Sequence, residues 1–269
     1  TGGYAYDRRI LRLLPSFGID ISHLELPGSF PSPTPADLVE TERRLSAVPA
    51  DAALLIDGLA LGAMPADLLQ RLNRRLIALV HHPLALEAGL PESRKQELVA
   101  SETAALALCR HVIVTSPMTA RLLAAEYAVP AKCIAVAEPG TDPAPRATGT
   151  GTPMQLLSVG AVSRRKGYEF LVEALRPLAD LDWRLTIVGA LDRDPAAVVA
   201  LKAAIATSTG LADRIMLAGT VVPATLERHY ASADMFVLPS LFEGYGMVLA
   251  EAMARGLPII CTTGGAAAE

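Results

Sequence analysis

The chain has 269 residues, of which 51% are hydrophobic, 19% charged and only 4% aromatic. A net charge of −4 and a pI near 5.8 argue against nucleic acid as the main partner, and no apolar run approaches the roughly 18 to 20 residues of a membrane span. Cys109, Cys133 and Cys261 are widely spaced, odd in number and without a CxxC pair, so they read as buried thiols of a reducing cytoplasm, neither bridged nor zinc-bound.

The opening "TGGYAYDRRIL" reads as a glycine turn entering a helix over 4–14, the usual sequel to a strand that would precede Thr1. Short Val/Ile/Leu runs then alternate with Ala/Leu stretches of helical period. Strands are predicted over 19–26, 53–57, 76–80, 112–115 and 134–137, and helices over 36–47, 66–74, 92–109 and 118–127. Nearly continuous apolar strands separated by helices indicate a parallel sheet covered on both faces. The stretch "EPGTDPAPRATGTGTP", 138–153, has no apolar period and reads as a linker. After it the rhythm restarts, with strands over 155–159, 184–188, 215–217, 235–238 and 258–262. Helices are predicted over 168–178, 196–207, 223–231 and 247–255. The reading is two doubly wound α/β domains in tandem, 1–145 and 146–269. The stop just after a strand, at "TTGGAAAE", leads us to expect a further element beyond Glu269.

Two stretches carry chemistry. In "LFEGYGMVLAEAMARGLPIICTT", 241–263, Glu243 and Glu251 stand eight positions apart. At about 1.5 Å rise per residue this is on the order of 12 Å, too wide for hydrolytic carboxylates set about 5 to 9.5 Å apart. Gly244 and Gly246 leave backbone N–H groups open at a helix start, a seat for a diphosphate. One elongated anionic ligand fits this segment. The plainer alternatives are a helix-start carboxylate at Glu243, worth about 0.3 to 1 kcal/mol, and a surface acid at Glu251. The apolar neighbours of Glu251 leave it little solvent, so an unpaired acid there is costly. In "SVGAVSRRKGYEFLVEAL", 158–175, a buried strand ends at Gly160 and three cations, Arg164, Arg165 and Lys166, precede a helix. Strand carboxyl ends are where open α/β sheets bind ligands, and the cations suit phosphate.

Together, "VG…RKG…LVEAL", "WRLTIVG", "IMLAGTV" and "ADMFVLPSLFEGYGMVLAEAMARGLPII" resemble the family 4 retaining glycosyltransferases of the GT-B fold, including their E-x7-E element. The resemblance covers nearly all of 154–265. It is weaker in the first half, where "TGGYAYDRRIL", "ALVHHPLALEAGL", "VIVTSPMTARLL" and "VAEPGTD" look like acceptor-domain landmarks.

The resemblance implies a donor site on the second domain, formed by Gly160, Arg164, Arg165, Lys166, Glu243, Gly244, Tyr245, Gly246, Met247 and Glu251. Glu243 would contact sugar hydroxyls, Glu251 the ribose, and Arg165 with Lys166 the diphosphate. Gly2 and Gly3 would lie near the donor phosphates, though a plain turn explains them almost as well. His81, at the end of "LIALV", would approach the reacting sugar, the plainer reading of His81 and His82 being imidazoles at a core edge. Glu87, Ser116 and Asp142 read as structural. One departure is Ala161, where many members carry an arginine, so Arg164 or Arg165 has to supply that charge.

The implied activity is transfer of a sugar from a nucleoside diphosphate sugar to an acceptor hydroxyl with retention. The acceptor, a glycan, lipid-linked or small molecule, would sit on the first domain, with closure of the two excluding water. No DxD-type pair is placed to hold a metal, so neither metal nor cofactor is expected. No nucleic-acid partner is expected, and the inner face of a membrane is a peripheral contact open to the chain. A nicotinamide dehydrogenase is disfavoured because no GxGxxG follows a strand. A GT-B sugar-nucleotide epimerase and a non-catalytic sugar-nucleotide-binding subunit remain as alternatives.

Overall fold

A computed structural model describes residues 2–269. The chain divides into two units, Gly3–Pro139 and Gly140–Glu269.

The first unit opens with α1 (Gly2–Leu13), which begins one residue outside it, and α2 (Pro35–Ser46). Thr34 starts α2 with a reciprocal cap: its hydroxyl accepts from Asp37 N–H and the Asp37 carboxylate accepts from Thr34 N–H. Then come β1 (Leu54–Asp57), α3 (Gly58–Leu61), α4 (Ala66–Leu72), β2 (Leu76–Val80), α5 (Glu92–Leu106), β3 (His111–Val114), α6 (Pro117–Glu126) and β4 (Ile134–Val136). The strands form one parallel sheet in the order β1-β2-β3-β4. Its core includes Leu61, Met64, Ala78, Val112, Val114 and Leu123, all essentially without solvent exposure.

One expected strand does not form. Residues 19–26 carry no regular structure and lie mostly exposed. Their alternation, Ile19 and Ile21 against Asp20 and Ser22, favours an extended backbone, but no strand among the described residues lies beside them to supply ladder hydrogen bonds. Helix α5 also stops at Leu106, short of the expected 109. The cysteines are free, as expected, but half-buried rather than buried.

The second unit contains β5 (Met154–Val159), α7 (Tyr168–Leu175), β6 (Trp183–Val188), α8 (Pro195–Thr207), β7 (Ile215–Gly219), α9 (Pro223–Ser232), β8 (Met235–Leu238), α10 (Met247–Ala254) and β9 (Ile259–Cys261). All strands are parallel, in the order β7-β6-β5-β8-β9. The order runs outward from β5 in both directions, so β5 and β8 flank the topological switch point. Adjacent residues of β5 feed opposite faces, as a period of two requires. Leu156 packs with Leu171, Val172, Leu185 and Leu201 under α7 and α8, while Leu157 packs with Tyr230, Phe236, Leu249 and Ala252 under α9 and α10. The stretch read as a linker is not a free tether beyond residue 146. Ala147 N–H donates to Arg255 O at 2.9 Å, and the Asp234 carboxylate accepts from the N–H groups of Thr150, Gly151 and Gln155.

No described helix is long and apolar enough to cross a membrane.

Two strand ends meet at glycines. Gly160 N–H donates to Val188 O at 2.8 Å and Gly189 N–H to Gly219 O at 2.9 Å. A Cβ on Gly189 would penetrate the Gly160 carbonyl oxygen, which is rigid backbone. Gly189→Ala is therefore expected to destabilise the unit by about 3 kcal/mol or more, read as a lower urea midpoint with an unchanged slope.

Candidate functional site

The carboxyl ends of β5 and β8 lead into two loops that meet. After β5, Arg164–Lys166 forms a single 3₁₀ turn, closed by Gly167 in the left-handed region at φ 64°. After β8, residues 239–246 run to α10, which Gly246 opens at φ 89°. Lys166 Nζ lies 2.5 Å from Glu243 Oε1, with Lys166 8% exposed and Glu243 6%. Arg165 Nη1 lies 3.7 Å from Glu243 Oε2 and donates to Phe242 O at 2.6 Å. Leu241 N–H donates back to Arg165 O at 2.8 Å.

Burial alone pushes the Glu243 carboxyl up. The charges of Lys166 and Arg165, with the Lys166 hydrogen bond, outweigh it and hold the group below its ordinary value. Of the arginines near Ala161, Arg165 joins this cluster. Arg164 is exposed, and its N–H donates to Asp194, the acid that also caps α8.

The far side of the Glu243 loop is held by residues whose role is not apparent from the E-x7-E element. Glu243 N–H donates to Gly264 O at 3.2 Å, and Ala266 N–H donates to Glu243 O at 2.8 Å. Thr262 Oγ1 donates to Ser240 O. Gly265, at φ 68°, leaves no room for a Cβ against the Glu243 backbone. The available signal is the pair Gly264-Gly265, two residues past the end of β9.

Glu251 lies on α10, half-buried, where Tyr230 Oη donates to its Oε2 at 2.9 Å. Burial raises its pKa; the Tyr230 hydrogen bond and the Arg255 charge oppose this, and the net shift is upward. The acid is thus partnered by a hydroxyl and a nearby cation, and is not a plain surface carboxylate. Gly160, at the end of β5, accepts from Tyr168 Oη at 3.1 Å. Gly244, Tyr245 and Met247 stand between Glu243 and Glu251 along the chain, around the N-terminus of α10.

The first unit holds a second cluster. His81, immediately after β2, has Nε2 3.0 Å from Asp7 Oδ1 and 3.8 Å from Asp57 Oδ2. Tyr6 meets its ring edge-on at 5.5 Å. Burial opposes charge on His81, but the Asp7 hydrogen bond and both carboxylates hold its pKa above the ordinary value. Gly3 packs on this ring, where an added Cβ would stand 3.4 Å from Cδ2, and Gly2 is the first residue of α1. No motif in the sequence marks Asp7, and the signal for Asp57 is its place at a strand end before Gly58. The donor atoms of Asp7, Asp57 and His81 lie within 4.8 Å of one another, close enough to hold a cation. His82 Nε2 lies 3.6 Å from Glu87. Ser116 caps α6 by accepting from Thr119 N–H at 3.1 Å, in keeping with a structural role.

The loop after His82 is anchored by Glu102 of α5, 4% exposed, which accepts from Leu84 N–H at 2.9 Å and Ala85 N–H at 3.4 Å. Burial raises its carboxyl pKa to about 7, against the pull of those two hydrogen bonds.

Residues 153–269 match the family model described as "Glycosyl transferases group 1". They are a group 1 glycosyltransferase domain. The resemblance to the family 4 GT-B glycosyltransferases stands. Over 197 residues the chain is 28% identical to mannosylfructose-phosphate synthase of Agrobacterium fabrum, covering 67% of this chain and 42% of that protein. Sucrose-phosphate synthase of Thermosynechococcus elongatus matches with a TM-score of 0.75 at 20% identity, over 98% of this chain and 76% of that one. Anabaena HepE in complex with UDP-glucose matches with a TM-score of 0.68 at 21% identity, over 86% and 64%. At such identities the structural matches show the fold alone. The chain spans less than half the length of the curated relatives it matches.

Two predictions concern the buried acids of the glycosyltransferase domain and of the first unit. Lys166→Met removes the nearer of the two cations on the buried Glu243 carboxylate and is expected to cost about 3 kcal/mol of stability. Lys166→Met with Glu243→Gln is expected to recover most of that loss, measured as a double-mutant cycle of urea unfolding. For Glu102 the folded value is about 7 against an ordinary 4.5, so the folded state keeps a proton the unfolded state has lost. Stability is expected to fall as pH rises from about 4.5 to 7, by at most roughly 3 kcal/mol, and Glu102→Gln is expected to lack that slope in urea titrations across this window.

Proposed function

We propose that the protein transfers a sugar from a nucleoside diphosphate sugar to an acceptor hydroxyl with retention of anomeric configuration and without a metal ion. The observation that carries this is the cluster of Arg165, Lys166 and Glu243, closed over the switch point of a parallel sheet beside the N-terminus of α10. It offers two cations and helix N–H groups to a diphosphate, and a carboxylate to sugar hydroxyls. That Anabaena HepE is found with UDP-glucose supports a nucleotide sugar as the donor class.

In this reading the bond from the anomeric carbon to the diphosphate oxygen breaks as the bond to the acceptor oxygen forms on the same face. The departing phosphate oxygen takes the acceptor's proton. Charge develops on the leaving diphosphate, and Lys166, Arg165 and the start of α10 stabilise it where a metal otherwise would. Glu243 holds the sugar and Glu251 the ribose. His81, kept above its ordinary pKa by Asp7 and Asp57, supplies a hydrogen-bond donor toward the reacting sugar. The acceptor is a glycan, a lipid-linked molecule or a small molecule. Work in the cytoplasm, with peripheral contact to a membrane, belongs to the same proposal.

Thermal-shift screening against UDP- and GDP-sugars is the first test. A donor at a hundred times its Kd is expected to stabilise the protein by about 2.7 kcal/mol, and no response to any nucleotide sugar would overturn the donor reading. With the donor found, Glu243→Gln is expected to lower turnover by about 10²-fold or more. EDTA is expected to leave the rate unchanged, and NMR of the product to show the donor's anomeric configuration.

A further inference from the structure

Glu251 is held by a device that spans two helices. Tyr230 comes from α9, is 1% exposed, and stacks on Phe236 of β8 with ring centroids 6.0 Å apart and planes 15° from parallel. Arg255 also packs on this ring, its guanidinium carbon 4.3 Å from the ring centroid. Arg255 is fixed in turn by two hydrogen bonds to Glu227 of α9, at 2.6 and 2.7 Å, and by one to the Glu251 backbone carbonyl at 2.9 Å. Burial and these contacts hold the phenol in place, and its hydroxyl donates to Glu251 Oε2 at 2.9 Å.

We propose that Tyr230 is a positioning residue of the donor site, its hydroxyl setting the plane in which the Glu251 carboxylate meets the ribose hydroxyls of the nucleotide. This rests on the role given to Glu251 above. A glutamate on a helix surface has three side-chain torsions to settle, and ordering them on binding costs affinity. Because the two carboxylate oxygens are a fixed distance apart, holding Oε2 narrows the positions open to Oε1. The bond also acts on charge. A ribose hydroxyl donates to an ionised carboxylate, and burial of Glu251 favours the neutral acid. Among the groups that face it, the Tyr230 hydroxyl and Arg255 favour the ionised form, while Glu227 opposes it. Removing the hydroxyl alone raises the Glu251 pKa, so nucleotide affinity will fail at a higher pH than in the parent protein.

The test is isothermal titration of the full chain with UDP and with GDP, using Tyr230→Phe, Glu251→Gln and the double variant. Phenylalanine keeps the stacked ring and its volume. Tyr230→Phe is expected to weaken the nucleotide that binds by about tenfold and to move the acid limb of its affinity to higher pH. Glu251→Gln is expected to weaken binding and to lack that limb. The double variant should bind no more weakly than Glu251→Gln alone, since Tyr230 acts through that acid.

Tyr230→Phe binding like the parent while Glu251→Gln binds weakly would overturn the positioning role and leave the donor reading intact. Additive losses in the double variant would also overturn it, because Tyr230 would then act independently of Glu251. Glu251→Gln binding like the parent would remove the role of Glu251 in the donor site, and the inference with it. Should Tyr230→Phe not fold, Arg255→Lys weakens the clamp on the ring while keeping the phenol and the cation. It is then expected to lower affinity in the parent but not in Glu251→Gln, and a loss in both would overturn the inference.

Discussion

The arrangement of the second unit's site depends on one buried ion pair. Lys166 and Glu243 are 77 positions apart in sequence and 2.5 Å apart in space, with almost no exposure to water. Neither charge is tolerable alone at such burial, so each loop is held wherever the other is. Since one loop leaves β5 and the other β8, the pair closes the point where the strand order reverses. Arg165 strengthens the closure: its carbonyl accepts from Leu241 N–H and its guanidinium donates to Phe242 O.

That constraint explains a glycine beside it. Two loops drawn this closely leave no volume for side chains where backbone meets backbone. Gly167, in the loop after β5, lies against the Pro239 carbonyl of the loop after β8, with no room there for a Cβ. The groups at the core of the site are thus supported on rigid contacts at strand ends, which is the condition for electrostatic stabilisation without reorganisation.

The two units place polar groups by the same rule and give them opposite electrostatic character. In each, the charged cluster gathers at the carboxyl ends of parallel strands. The second unit gathers two cations around one acid, a setting for anionic oxygen. The first gathers two acids around His81, a setting that raises the imidazole pKa. Glu102 adds a buried acid whose acceptor capacity holds the loop after His82.

The alternation of apolar runs and helical stretches was enough to give two parallel α/β units, because burial of both sheet faces writes itself into local composition. It was also enough to bring "RRKG" and the two glutamates under suspicion, since charges beside glycine at a strand end are unusual in a chain that is 51% hydrophobic. Residues 19–26 show where the local pattern misleads. Their alternation suits a strand, but a strand exists only where a neighbour accepts its hydrogen bonds.

What the sequence by itself determined was which residues stand at strand ends and helix starts, a matter of local period and turn chemistry. Only the tertiary structure decided which of them meet. It chose Arg165 over Arg164, joined Lys166 to Glu243, set Tyr230 on Glu251 and brought Asp7 and Asp57 to His81. Such pairings join residues tens of positions apart through the order of strands in a sheet, and no local pattern along a single chain encodes that order.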